Sequence, residues 1–380
     1  MRRKLLLALF AVPLPGALWV LWKWAHYQDA LLNQDAPLNH GALLNRADYT
    51  LYLATARLAL DEGWHHLYDI EAQRRVWQQF PGLRFWPNVY TPALTVFVLP
   101  FTQLSLDFGY ALWCTLLLAG LLLAWWLLAG GDWPARLAQL PLALVTWPVV
   151  SGLWLGQVLA LQIGVFALAC HALRQGRERT AGALLAVVVL KPQGMLLVPL
   201  ALLAAGQKRL FTTWAACVAL IGAATLALIG FDGALAYLHR LDYAQSHLAE
   251  YLVPWTVSLG RRFEGVQLRL IELGAVAAVL VAAVRHRDQP EVAMAAGLVG
   301  SLVASPYLHL EDFMLLVPAG WLLLRAAPGP ATAAVLLLGV GAMAASADDR
   351  VGGRWILLYV CLLLPALAAL PPRRPAGANP

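Results

Sequence analysis

Twelve apolar segments recur along this chain, at residues 5–22, 107–129, 138–150, 157–173, 180–190, 194–205, 212–230, 267–284, 292–304, 313–326, 331–346 and 355–370. About 20 apolar residues let a helix cross a bilayer. Lipid offers no hydrogen-bond partner to an open sheet edge, so a chain patterned this way folds as a helical bundle. Several segments are shorter than an upright crossing needs, but Pro, Gly and charge clusters punctuate them, and short helices fit inside a bundle. Only 13% of the 380 residues are charged, against about 25% in soluble domains, and mean hydropathy is +0.66. The expectation is an all-α polytopic membrane protein. One integral domain spans 1–370, and a disordered cytoplasmic tail, PPRRPAGANP, occupies 371–380.

Loop charge sets the orientation. With the N-terminus inside and twelve crossings, Arg2-Arg3-Lys4, RQGRER, GQKR, RHR and PPRR all face the cytoplasm, as the positive-inside rule asks. Most acids then fall outside. The segment 91–104, bounded by Pro92 and interrupted by Pro100, is read as half-inserted, because a crossing there would reverse every later loop. The first apolar run is read as a retained span and not a cleaved signal, since Pro13 and Pro15 interrupt it and no small-x-small site follows. Two outer loops are long, 23–90 and 231–266. The first contains DYTLYLATARLALDEG, closed by Gly63. Its Leu51, Leu53, Ala54, Leu58 and Leu60 suit an amphipathic helix lying along the membrane, with Arg57, Asp61 and Glu62 toward water.

The remaining composition excludes several functions. Cys114, Cys170, Cys217 and Cys361 lie in apolar runs, too dispersed for a metal cluster, and read as packed thiols. The formal charge of +6 lacks the basic run with interleaved aromatics that nucleic-acid binding needs, so no nucleic-acid partner is expected. No glycine-rich nucleotide loop, HExxH or GxSxG motif occurs. His309, Glu311 and Asp312 lack a second ligand cluster, so neither a metal nor a cofactor is expected.

Four polar signatures share the outer side in this topology: Asp48, LWLGQ (Leu153–Gln157), LKPQG (Leu190–Gly194) and SPYLHLED (Ser305–Asp312). Lys191 is the sharpest. Pro192 disfavours helix at the residue before it, and an ammonium at membrane depth faces either a cavity or, by snorkelling, water. A point charge there suits a departing phosphate. Asp48 suits two roles, a general base for a hydroxyl or an N-terminal helix cap. Glu311 and Asp312 are either site acids or acids favoured by the following helix dipole. Gln157 beside Trp154 is either a sugar-facing pair or accompanies an ordinary interfacial Trp, His309 either binds a phosphate or sugar hydroxyl or packs, and Arg261 and Arg262 either hold a lipid phosphate or are solvated.

The acid before a tyrosine-rich helix, LYD (Leu67–Asp69), VYTPAL (Val89–Leu94) with LPFTQL, then Gly156-Gln157, Ala181-Gly182, LKPQ with Pro199, and SPY recur in one order. This set, over roughly 45–325, resembles the bacterial polyprenyl-phosphate-mannose-dependent mannosyltransferases of the GT-C superfamily. The resemblance implies a GT-C bundle of about 12 transmembrane helices in the inner membrane, with its active site on the extracytoplasmic face. It also implies a polyprenyl-phosphate sugar donor, typically mannose, and a lipid or glycan acceptor. The catalytic base maps to Asp48. Lys191, His309, Arg261 and Arg262 are then the candidate donor-phosphate contacts, and Tyr52, Tyr90, Trp154, Gln157, Gln193, Tyr307, Glu311 and Asp312 the candidate substrate contacts. Two other readings compete: a flippase or transporter of lipid-linked sugars, and a polysaccharide polymerase or ligase. A transporter would show repeats and broken helices at the midplane; a polymerase or ligase normally carries its long outer loop late in the chain.

Overall fold

A computed structural model describes residues 46–80, 85–144, 146–246, 259, 263, 265–305, 308–346 and 353–370. The first apolar run, the tail 371–380, Arg261, Arg262 and Tyr307 lie outside the described residues. Within them the fold is helical, with no strands. The helices are α1 (Ala47–Asp61), α2 (Ile70–Trp77), α3 (Pro92–Val98), α4 (Leu106–Leu128), α5 (Trp133–Leu144), α6 (Trp147–Leu155), α7 (Leu159–Arg174) and α8 (Glu178–Leu185). They continue with α9 (Leu197–Ala204), α10 (Lys208–Ser246), α11 (Gly265–Arg285), α12 (Pro290–Ala304), α13 (Leu316–Ala326), α14 (Pro330–Ala345) and α15 (Arg354–Ala369).

By length and composition α4, α10 and α11 can each cross a bilayer, and α5 with α6, bent by 60°, make a fourth if they form one broken span. The apolar α7, α12, α14 and α15 are shorter. Leu220 is 71% exposed and Leu273 65% exposed. Long apolar helices that present leucine outward are stable only where the surroundings are lipid, which makes this a membrane protein.

Small residues set the interior spacing. A Cβ on Gly164 would stand 2.6 Å from the Gly120 Cα, so α4 and α7 approach backbone to backbone. The helix α12 packs against α9, α11, α13 and α15, and all but a few of its side chains are buried.

One expectation needs correction. The helix expected to lie along the membrane is α1, and it is largely enclosed: every residue from Tyr49 to Ala56 is buried, with Leu58 and Ala59. Arg57 is half-buried and Leu60 and Asp61 are exposed, so the expected wet face stays open while the rest of α1 packs on α2, α3 and the 3-10 turns around it. The amphipathic helix of this region is α2. It buries Ala72, Gln73, Val76 and Trp77, exposes Glu71, Arg74 and Arg75, and is capped by Asp69, which accepts from the Glu71 and Ala72 amides. The connection expected at 231–266 carries helix in its first part. The chain breaks direction at Gly230 (φ 70°, ψ 177°) but stays helical through Ser246 as the distal half of α10. The left-handed φ there suits glycine.

Candidate active site

The site begins where α1 begins. Arg46 precedes the helix with φ 58°, a region non-glycine residues rarely adopt. Its amide donates to the Trp154 carbonyl at 3.0 Å, and its guanidinium pairs with Asp107. These contacts tie the start of α1 to the end of α6 and to the start of α4. Arg46, and not Asp48, holds the capping position, and it makes no side-chain cap hydrogen bond. Asp48 lies in the first turn, where the helix dipole favours a carboxylate, and its oxygens face two partners from distant chain. Tyr90 Oη donates to Oδ1 at 3.1 Å, and Gln157 Nε2 donates to Oδ2 at 3.0 Å.

Both partners are themselves held. The Tyr90 amide donates to Asn88 Oδ1 at 3.0 Å, and its carbonyl accepts from Tyr68 Oη at 2.8 Å. The Asn88 amide in turn donates to Gln73 Oε1 at 2.9 Å, and Gln73 Nε2 reaches the Leu67 carbonyl. Gln157 is fully buried, and its Oε1 accepts from Tyr52 Oη at 2.8 Å, which orients the amide with its NH2 toward Asp48. Gly156 makes the turn possible. It has φ 79°, and a Cβ there would meet the Tyr49 Cβ at 2.7 Å.

Lys191 stands between two 3-10 turns, Ala186–Leu190 and Pro192–Gly194, in non-helical backbone (φ −148°, ψ 84°). Its side chain is 2% exposed, and Nζ lies 2.5 Å from the Asp312 carboxylate, itself 1% exposed. A buried charge needs such a partner, because desolvating it costs several kcal/mol, roughly, per ion. Asp312 also accepts from the His309 amide at 2.9 Å, so one carboxylate ties the Lys191 turn to the 305–315 segment.

These turns and α1 enclose a cavity of about 500 Å³. Asp48, Tyr90, Lys191, Gln193, Ser305, His309 and Glu311 line it, with Trp86, Pro87, Leu155, Leu190, Leu196 and the distal half of α10 at Tyr237, Leu241 and Ala244. Burial first, then the Glu311 carboxylate, pushes the Asp48 carboxyl up to about 7, while Lys191, His309 and Tyr90 pull it down. Burial, followed by Asp312, also raises Glu311 above the usual carboxylate range. For Lys191 burial opposes the charge, but Asp312, Glu311 and Asp48 prevail and hold its pKa above the ordinary lysine value. Burial lowers His309 more than Asp312 raises it, so its imidazole is neutral near pH 7. Among the described residues, no three of His, Cys, Asp and Glu stand together as a metal site would need.

Of the residues singled out in the sequence, Asp48, Tyr90, Lys191, Gln193, His309 and Glu311 therefore share one cavity. Tyr52, Trp154, Gln157 and Asp312 do not line it. Tyr52 and Gln157 hold Asp48, Asp312 holds Lys191, and the Trp154 carbonyl accepts from Arg46 and from Tyr110. The supporting Tyr68 lies in the LYD motif of the resemblance, whereas Gln73 and Asn88 are not marked by any motif. An amide such as Gln73 on the apolar face of α2 was the available signal.

The model of glycosyltransferase family 87 matches residues 88–306, more than half of the chain. Comparison with curated proteins and with solved structures found no match.

Proposed function

The chain belongs to glycosyltransferase family 87 and is a membrane glycosyltransferase, and we propose that it moves a sugar from a polyprenyl-phosphate donor to a lipid or glycan acceptor. In this reading the cavity is the active site, and it opens on the extracytoplasmic side of an inner membrane crossed about twelve times in the GT-C manner. The sugar is mannose, following the resemblance of the ordered motifs to mannosyltransferases. The single observation that carries the reading is that a carboxylate and an ammonium, Asp48 and Lys191, line one cavity.

The chemistry is an inverting direct displacement. Asp48 takes the proton of the acceptor hydroxyl as its oxygen attacks the anomeric carbon. The bond from that carbon to the phosphate oxygen breaks on the opposite face, and polyprenyl phosphate leaves. Lys191 offsets the charge that develops there, and neutral His309 and Gln193 contribute hydrogen bonds. Positioning and charge stabilisation supply most of the rate. Leu196, which lines the cavity and is 48% exposed, marks the apolar exit for the polyprenyl tail. The direct test incubates the purified protein with a panel of polyprenyl-phosphate sugars and follows which one is consumed. Consumption of none of them would overturn the donor assignment.

A further inference from the structure

A second concavity, of about 690 Å³, lies beside the first, between α2 and the distal half of α10. The two share Trp86 and Pro87 as lining residues, and Tyr237 of the first cavity stacks on Tyr68 of the second with ring centroids 4.7 Å apart. The side chains that shape the second groove are of two kinds. Tyr68, Phe85, Trp86 and Tyr243 present aromatic rings; Arg74 and Arg240 bring guanidinium groups. Each arginine stands over an aromatic ring, Arg74 Cζ 5.2 Å from the Phe85 centroid and Arg240 Cζ 5.5 Å from that of Tyr243. A guanidinium over a ring face makes a cation–π contact, and its planar fork presents paired donors suited to an oxyanion. Arg240 Nε is buried without a hydrogen-bond partner among the described residues. Among the described residues no carboxylate lines the groove; Glu71 approaches Arg74 to 3.9 Å from outside it.

Flat apolar faces match the C–H faces of pyranose rings, and two guanidiniums beside them match an oxyanion. We propose that this groove binds the acceptor, and that the acceptor is a carbohydrate carrying an acidic group, either a phosphate or a uronic carboxylate. The inference rests on the transferase reading above. It adds where the acceptor lies and what charge it carries. A sugar chain seated here passes the Trp86–Pro87 wall to bring a hydroxyl toward Asp48.

The test uses the full chain in nanodiscs and three soluble probes: maltotriose, maltotriose 1-phosphate, and maltotriose oxidised to its terminal uronic acid. Binding is measured by calorimetry, without donor. The expected result is that at least one acidic probe binds about tenfold more tightly than the neutral one, and that Arg74→Gln and Arg240→Ala each remove that preference. Preference for the phosphate over the uronate, or the reverse, identifies which acid the acceptor bears. Equal binding of all three probes, no binding, or a preference that survives both substitutions overturns the proposal. Arg74 is exposed, so Arg74→Gln remains informative if Arg240→Ala does not fold. In transfer assays the same variants should raise the acceptor KM about tenfold and leave the donor KM unchanged. Arginine-dependent binding without any sugar transfer would instead overturn the transferase reading and leave the groove standing.

Discussion

Gln157 Nε2 donates to Asp48 Oδ2 at 3.0 Å while Gln157 Oε1 accepts from Tyr52 at 2.8 Å. The amide is thereby fixed in one orientation, and its hydrogen bond favours the charged form of a carboxyl that burial and then Glu311 raise to about 7. In the proposed mechanism only the deprotonated form of Asp48 works. Activity should therefore fall as pH drops through about 7 and level off above it. The check is the pH profile of kcat/KM at saturating acceptor.

Removing a donor to the carboxylate should move that acidic limb upward, because a hydrogen bond to a charged form lowers its pKa. Tyr90→Phe and Gln157→Leu should each shift the limb by about half a unit to one unit and cost about tenfold in kcat. Parallel profiles for wild type and both variants would show that neither side chain tunes the base.

Lys191 and Asp312 give a prediction in two parts. Lys191→Ala leaves Asp312 buried and uncompensated, which should destabilise the protein by about 3–5 kcal/mol. Adding Asp312→Ala should restore much of that loss, since removing both charges is milder than removing one. Transfer should not recover with stability, remaining about a hundredfold or more below wild type. Thermal unfolding and turnover on the same samples separate the two effects. Recovery of turnover in the double variant would reduce Lys191 to a structural partner.

Gly156→Ala should disturb the site from behind. The position has φ 79°, and its new Cβ would crowd the Tyr49 Cβ at 2.7 Å. The strain costs about 1–2 kcal/mol and shifts the turn carrying Gln157. Lower thermal stability together with an upward shift of the acidic limb is the expected pair of changes.

Most of the long elements were readable from the sequence because hydropathy is a local property. The runs at 107–129, 267–284 and 331–346 emerge as α4, α11 and α14 within two residues at each end. The break at Lys191 was readable for a local reason too, the restriction Pro192 places on its neighbour. Burial of the rest of α1 was not, since it depends on α2, α3 and the neighbouring 3-10 turns packing on faces that the sequence alone assigns to the membrane. Nor was the distal half of α10, where Gly230 and an intermediate hydropathy resemble the start of a loop. The roles of Gln157 and Asp312 were hidden by distance. Their partners Asp48 and Lys191 stand 109 and 121 positions away, and no spacing rule links such residues.

The central claim concerns Asp48 as the base, and Asp48→Asn tests it most directly, because the amide keeps the size and most hydrogen-bonding capacity of the carboxylate. Single-turnover transfer from polyprenyl-phosphate mannose should fall about a hundredfold to ten-thousandfold, with donor binding unchanged within about twofold. Near-normal transfer by the asparagine variant would contradict the account.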